Sequence, residues 1–134
     1  GVEFLIGLST RSNTLAVGQL NALLGQFGYT AIGVELTDCL HLKTAVTRVD
    51  DKTLLINKQW LDSSHFYGFD LIDVDASEPF AANCLPINGQ ILYPTTFPKT
   101  QRLLEERGCR IINVNLDELA KAEGAVTCCS LIIE

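Results

Sequence analysis

The chain contains no apolar run approaching the roughly 18 residues of a membrane-spanning helix, so no membrane partner is expected. Basic residues are scarce: 10 Lys and Arg stand against 16 Asp and Glu, for a net charge of −6, and no basic cluster exceeds two residues. Phosphate binding needs a basic face, so nucleic acid is not expected as a partner. An acidic surface does suit a cationic ligand. No secretory leader is visible in these residues, although a mature chain would have lost one, and there is no paired Cys-x-x-Cys spacing of the zinc-binding kind. The 5 cysteines are odd in number, and Cys128 and Cys129 are adjacent, which does not fit a secreted disulfide framework. Cys39, Cys84 and Cys109 are therefore expected as small buried hydrophobes in a reducing cytoplasm. Histidine is rare too. His65 follows the polar stretch Asp62-Ser63-Ser64 and is expected on the surface, which leaves His41 as the one candidate for chemistry.

Apolar residues make up 47% of the 134, enough for the core of a single domain. Asn13 to Phe27 reads as a helix with Leu15, Leu20, Leu23, Leu24 and Phe27 on one face, a cap at Ser12 or Asn13, and a stop at Gly28. Tyr29 to Leu36 reads as a strand. A unit of hairpin, helix and strand then occurs twice. The first copy has strands at residues 41–49 and 53–57, a helical stretch near 58–66 and a strand at 69–74. The second has strands at 83–87 and 90–93 around Asn88-Gly89, a type I′ hairpin signal. Its helix starts near Pro98, with Leu103 and Leu104 inward and a stop at Gly108, and its last strand is 110–114. Nearly equal intervals of 42 and 45 residues separate His41 from Asn83 and Asn83 from Cys128, so a third unit is expected to open at Thr127–Ile133. Phe4–Leu8 reads as the second hairpin strand of an earlier unit. Repeats of this length build radial or linear arrays, and units left incomplete at each end imply an α/β propeller segment with further sequence upstream.

The repeat puts His41 and Cys128 at equivalent positions, each near the start of a unit's first strand, where a radial array would turn both toward one pocket. A thiol nucleophile needs such a neighbour, because a free cysteine is mostly protonated at neutral pH.

Four segments carry a family resemblance: Gly7-Leu8-Ser9-Thr10-Arg11-Ser12-Asn13, Leu40-His41-Leu42-Lys43-Thr44, Ala81-Ala82-Asn83-Cys84, and Gly124-Ala125-Val126-Thr127-Cys128-Cys129-Ser130. In this order they resemble the dimethylarginine dimethylaminohydrolase family of the guanidino-modifying superfamily, which also holds arginine deiminases and amidinotransferases. The resemblance covers nearly the whole chain. It implies a five-bladed α/β propeller of ββαβ units, of which residues 1–134 would be the C-terminal three or so. It implies Cys128 as nucleophile rather than Cys129, with strand alternation turning Cys129 into the packing layer. It implies His41 as general acid and base, Arg11 as the clamp on the substrate carboxylate, and the Ala122 carbonyl as a contact to the substrate amine.

Lys43 stands where arginine deiminases carry a guanidinium-gripping Asp, and a cation there cannot do that work. The expected substrate is thus a small methylated arginine, hydrolysed to citrulline and an alkylamine through a covalent thiouronium, with no metal or organic cofactor. An arginine deiminase-like enzyme is the alternative. The guanidinium-binding acids would lie upstream, since Asp38 and Glu123 are the nearest acids in sequence and match no family position. The segment alone is therefore expected to be inactive and to need the missing N-terminal part or a partner chain, such as the second copy in a homodimer.

Overall fold

The computed structural model describes residues 2–133. Its elements run β1 (Val2–Leu8), α1 (Thr14–Leu24), β2 (Tyr29–Glu35), α2 (Leu42–Ala45), β3 (Val46–Arg48), β4 (Thr53–Ile56), β5 (Asp70–Asp73), β6 (Leu85–Ile87), β7 (Gln90–Pro94), α3 (Pro98–Glu106), β8 (Ile111–Val114) and α4 (Asp117–Ala120). Short 3-10 turns occupy Gly25–Phe27 and Ser63–Phe66.

The strands form three separate sheets, β1-β2, β3-β4-β5 and β6-β7-β8, and none is closed. β4 is antiparallel to β3 and parallel to β5, and β7 is antiparallel to β6 and parallel to β8. β1 and β2 are parallel, so β1–α1–β2 matches the last three elements of the same unit. The expected α/β repeat is present. Asn88 and Gly89 both take positive φ, 49° and 69°, as the type I′ turn requires. Gly108, at φ 83°, ends α3, and Asn13 caps α1 by accepting a hydrogen bond from the Ala16 amide at 3.0 Å.

Four expectations are corrected. The helix expected near residues 58–66 is only the turn Ser63–Phe66, because Asp62 accepts from both the amide and the hydroxyl of Ser64, at 2.9 and 2.7 Å, and offers the backbone an alternative to a helix. The apolar face expected over residues 13–27 is only partly covered: Leu20 and Leu24 are half-buried, whereas Leu15 and Leu23 in α1 and Phe27 in the 3-10 turn after it are 69%, 62% and 66% exposed, since α1 rests on β2 at the edge of a two-stranded sheet. His41 is not in a strand but is the residue before α2. Finally, Val126–Cys129 is a turn and no strand follows it among the described residues.

Two cores fill the gaps between the sheets. Val34, Val46, Leu54, Ile56, Trp60 and Phe66 belong to one, and Leu55, Ile72, Ile91, Tyr93 and Leu104 to the other. β4 feeds both, as Leu54 and Ile56 point one way and Leu55 the other, which explains its unbroken apolar run. Leu55 is fully buried, and truncating it to Ala would cost about 2–5 kcal/mol. Side chains also tie neighbouring units together. Asn57 Nδ2 donates to the Pro79 carbonyl at 2.9 Å, and Glu78 accepts the Lys99 and Thr100 amides at 3.0 and 2.8 Å, holding the start of α3.

Candidate active site

His41 is placed by close packing. Gly7 in β1 leaves room for α2: a Cβ there would lie 2.6 Å from Leu36 Cδ1 and 3.0 Å from the Leu42 nitrogen. α2 can therefore begin against β1, with extended His41 before it. The His41 carbonyl accepts from the Thr44 amide at 2.9 Å, and its imidazole makes no hydrogen bond among the described residues. The residue is exposed.

Cys128 lies in a helical turn after α4. The Cys129 amide donates to the Ala125 carbonyl at 3.1 Å, and the Ser130 hydroxyl to the Val126 carbonyl at 2.6 Å. Inside this turn Cys128 Sγ accepts from the Ala125 amide at 3.0 Å and lies 3.4 Å from the Ala125 carbonyl. The Cys129 sulfur is 3.8 Å away. Both cysteines are exposed, which corrects the expectation that Cys129 points into a packing layer; alternation does not apply in a turn. The two are nevertheless distinct. Cys129 packs against Gly124, and its thiol is pushed up first by the hydrogen bond with Cys128 and then by desolvation and charge.

His41 and the Glu123-Gly124-Ala125 segment that orients Cys128 open onto one cavity of about 490 Å³. Its wall includes Asp38, Phe80, Asn83 and Phe97; Cys128 itself does not line it but is hydrogen-bonded to Ala125, which does. Asp38 and Glu123 were expected only as loop acids. They do lie in loops, but both turn out to line this cavity. Both also take left-handed backbone, at φ 56° and 60°, a conformation that costs a non-glycine residue about 1 kcal/mol and gathers at functional sites. Two residues on the wall of an acidic cavity beside a histidine suit a cationic ligand. Sequence reasoning missed them because nothing in composition marks a left-handed Asp or Glu.

A larger depression of about 670 Å³ adjoins this cavity and shares Asp38, Cys39 and Leu40 with it. The Ser9–Asn13 loop forms its rim. The Ser9 hydroxyl donates to the Leu40 carbonyl at 2.8 Å and accepts from the Arg11 amide at 3.1 Å, so the loop carrying Arg11 is fastened to the residue before His41. The structure thus brings His41, the Cys128 turn and the Arg11 loop to adjoining hollows. The Arg11 side chain and Ala122 are exposed and line neither hollow, and Lys43 is likewise exposed and off the cavity wall.

No protein-family model matches the chain. The chain is 33% identical, over 98% of its length, to the dimethylarginine dimethylaminohydrolase of Pseudomonas aeruginosa and covers 52% of that protein. A solved structure of that enzyme, a cysteine-to-serine mutant complexed with citrulline, superposes with a TM-score of 0.82 at 31% identity over 93% of this chain and 49% of that one. An amidinotransferase of Microseira wollei shares the fold, with a TM-score of 0.85 at 16% identity. Units of ββαβ type with this topology define a mixed α/β fold of the pentein kind. Within it, the chain belongs to the dimethylarginine dimethylaminohydrolase family of the guanidino-modifying superfamily. The chain spans about half the length of the curated relatives it matches. No described helix is long and apolar enough to cross a membrane.

Proposed function

We propose that this chain carries the cysteine–histidine portion of a hydrolase that turns methylated arginines into citrulline and an alkylamine. The observation that supports it most is the single cavity onto which His41 and the turn orienting Cys128 both open, in a chain of this family. In this reading Cys128 attacks the guanidinium carbon as a thiolate, and His41 protonates the departing amine as the C–N bond breaks. A thiouronium remains on sulfur. His41 then takes a proton from water, whose oxygen attacks the same carbon. The C–S bond breaks, the thiolate returns, and the ureido group of citrulline leaves. Arg11 holds the substrate carboxylate with its planar fork, and the Ala122 carbonyl meets the substrate amine.

We place the segment as about three units of a single five-unit ring, in the cytoplasm, where its five free thiols persist. The remaining units supply the acids that grip the guanidinium and orient the His41 ring. The 134 residues alone are inactive in this reading, because neither Asp38 nor Glu123 hydrogen-bonds that ring. The test is citrulline release from dimethylarginine by the full-length protein. Cys128→Ser should abolish release, Cys129→Ser should leave most of it, and haloacetamidine should label the Cys128 position. Release that survives Cys128→Ser would overturn the proposal, and ammonia release from unmethylated arginine at a higher kcat/KM would replace it with a deiminase.

A further inference from the structure

Asn83 is 5% exposed, yet it lines the cavity, and every hydrogen bond of its side chain reaches a segment that holds one of the two reacting residues. Its Nδ2 donates to the Lys43 carbonyl at 2.8 Å, two residues past His41. The same nitrogen donates to Thr127 Oγ1 at 2.9 Å, and Oδ1 accepts from the Thr127 amide at 3.1 Å, one residue before Cys128. The histidine and cysteine segments come from different units, and no strand pairing joins them. The amide group spans that gap, with both of its N–H groups and its carbonyl oxygen in use. A carboxylate could not replace it, since both N–H groups are needed, and a shorter side chain could not reach both segments.

We infer that Asn83 is the positioning residue that sets the spacing of His41 and Cys128. This rests on the assignment of those two as the working pair. The Asn83 side chain bonds neither the His41 ring nor Cys128 Sγ; it acts through the Lys43 carbonyl and through the amide and hydroxyl of Thr127. A misplacement of about 1 Å between reacting groups can cost on the order of 100-fold in rate while leaving substrate binding nearly intact. Loss of Asn83 therefore falls on kcat rather than on KM.

The test uses the full-length protein and two readouts. The first is kcat and KM for dimethylarginine in Asn83→Ala and in the isosteric Asn83→Asp, which keeps the Thr127 acceptor and serves where the alanine variant does not fold. A kcat lower by at least about 10-fold at near-constant KM supports the role. The second is the rate at which iodoacetamide alkylates Cys128, followed by peptide mass across pH, in wild type, His41→Ala, the Asn83 variant and the double variant. The expected outcome is that the Asn83 change slows alkylation or shifts its pH profile in wild type but adds little once His41 is gone. Fully additive effects, or an Asn83 variant with wild-type kcat and alkylation, would overturn the role of Asn83 while leaving the pair intact. Alkylation indifferent to His41→Ala would overturn the pair itself, and the positioning role with it.

Discussion

Thr47→Val removes one oxygen from the seam between the second and third sheets and keeps the shape of the side chain. Thr47 is 7% exposed. Its hydroxyl donates to the Ala82 carbonyl at 2.6 Å and accepts from the Cys84 amide at 3.0 Å, so it holds the chain on both sides of Asn83. Valine would leave that buried carbonyl and amide without partners, at about 1–3 kcal/mol each, partly offset by the easier burial of a methyl. A net loss of about 3 kcal/mol follows. Thr47→Ser keeps both hydrogen bonds and gives up one methyl, about 1 kcal/mol. The assay is urea unfolding of the full-length protein with linear extrapolation. At a slope of about 1–3 kcal/mol/M, valine should move the midpoint down by about 1–3 M, well beyond serine, with the slope unchanged. A valine variant within about 1 kcal/mol of wild type, or one more stable than serine, would refute the reasoning: apolar contact, not the hydroxyl, would then hold the seam.

Gly124→Ala should lower kcat/KM by about 10-fold or more, because a Cβ would lie 2.9 Å from the Leu119 carbonyl oxygen and 3.1 Å from Cys129 Sγ, forcing the Cys128 turn to move; unchanged steady-state kinetics would sink this. Arg11→Lys should raise KM for methylarginines while leaving Cys128 alkylation as it was, since lysine lacks the planar fork; an unchanged KM removes Arg11 from the site. Burial pushes the Cys84 thiol up to about 11. The folded state thus favours the protonated form, and that contribution is complete below the ordinary thiol value and lost as pH rises toward and through 11. Unfolding experiments at pH 8 and pH 11 should show wild type losing about 2 kcal/mol more than Cys84→Ala over that interval; equal losses would show that Cys84 does not sense the change.

Where a single residue type settles the backbone, the sequence sufficed. Asn88-Gly89 admits one tight turn and Pro98 and Gly108 bracket α3, so the order of hairpin, helix and strand in the β6–β8 unit follows from these markers. The motifs picked out His41 and the Cys128 segment, and the structure brings His41 and the Glu123–Ala125 stretch before Cys128 to one cavity, although no third unit opens there among the described residues. What failed did so for physical reasons. Asp62-Ser63-Ser64 looks like the start of a helix but satisfies itself locally. The stripe of α1 gives its period but not what covers it. Strand alternation was carried into Val126–Cys129, where the backbone turns. The places of Asp38 and Glu123 on the cavity wall go with left-handed backbone that other residue types adopt far more readily, and the three bonds of Asn83 join parts of the chain 40 and 44 residues away.

Each three-stranded sheet satisfies its backbone ladder with strands of its own unit, and the seams between units are made by side chains such as Asn57, Thr47 and Asn83. Strand register is therefore local. An extra residue at the Asn88-Gly89 tip or in the Asp50-Asp51 turn alters one hairpin and leaves the pairing of the other sheets untouched. Homologous genes can gain or lose residues at those tips without a frame of hydrogen bonds sliding through the molecule. The short connections that carry Leu40 to Lys43, Ala81 to Cys84 and Gly124 to Cys128 have no such latitude, because one added residue there breaks a seam.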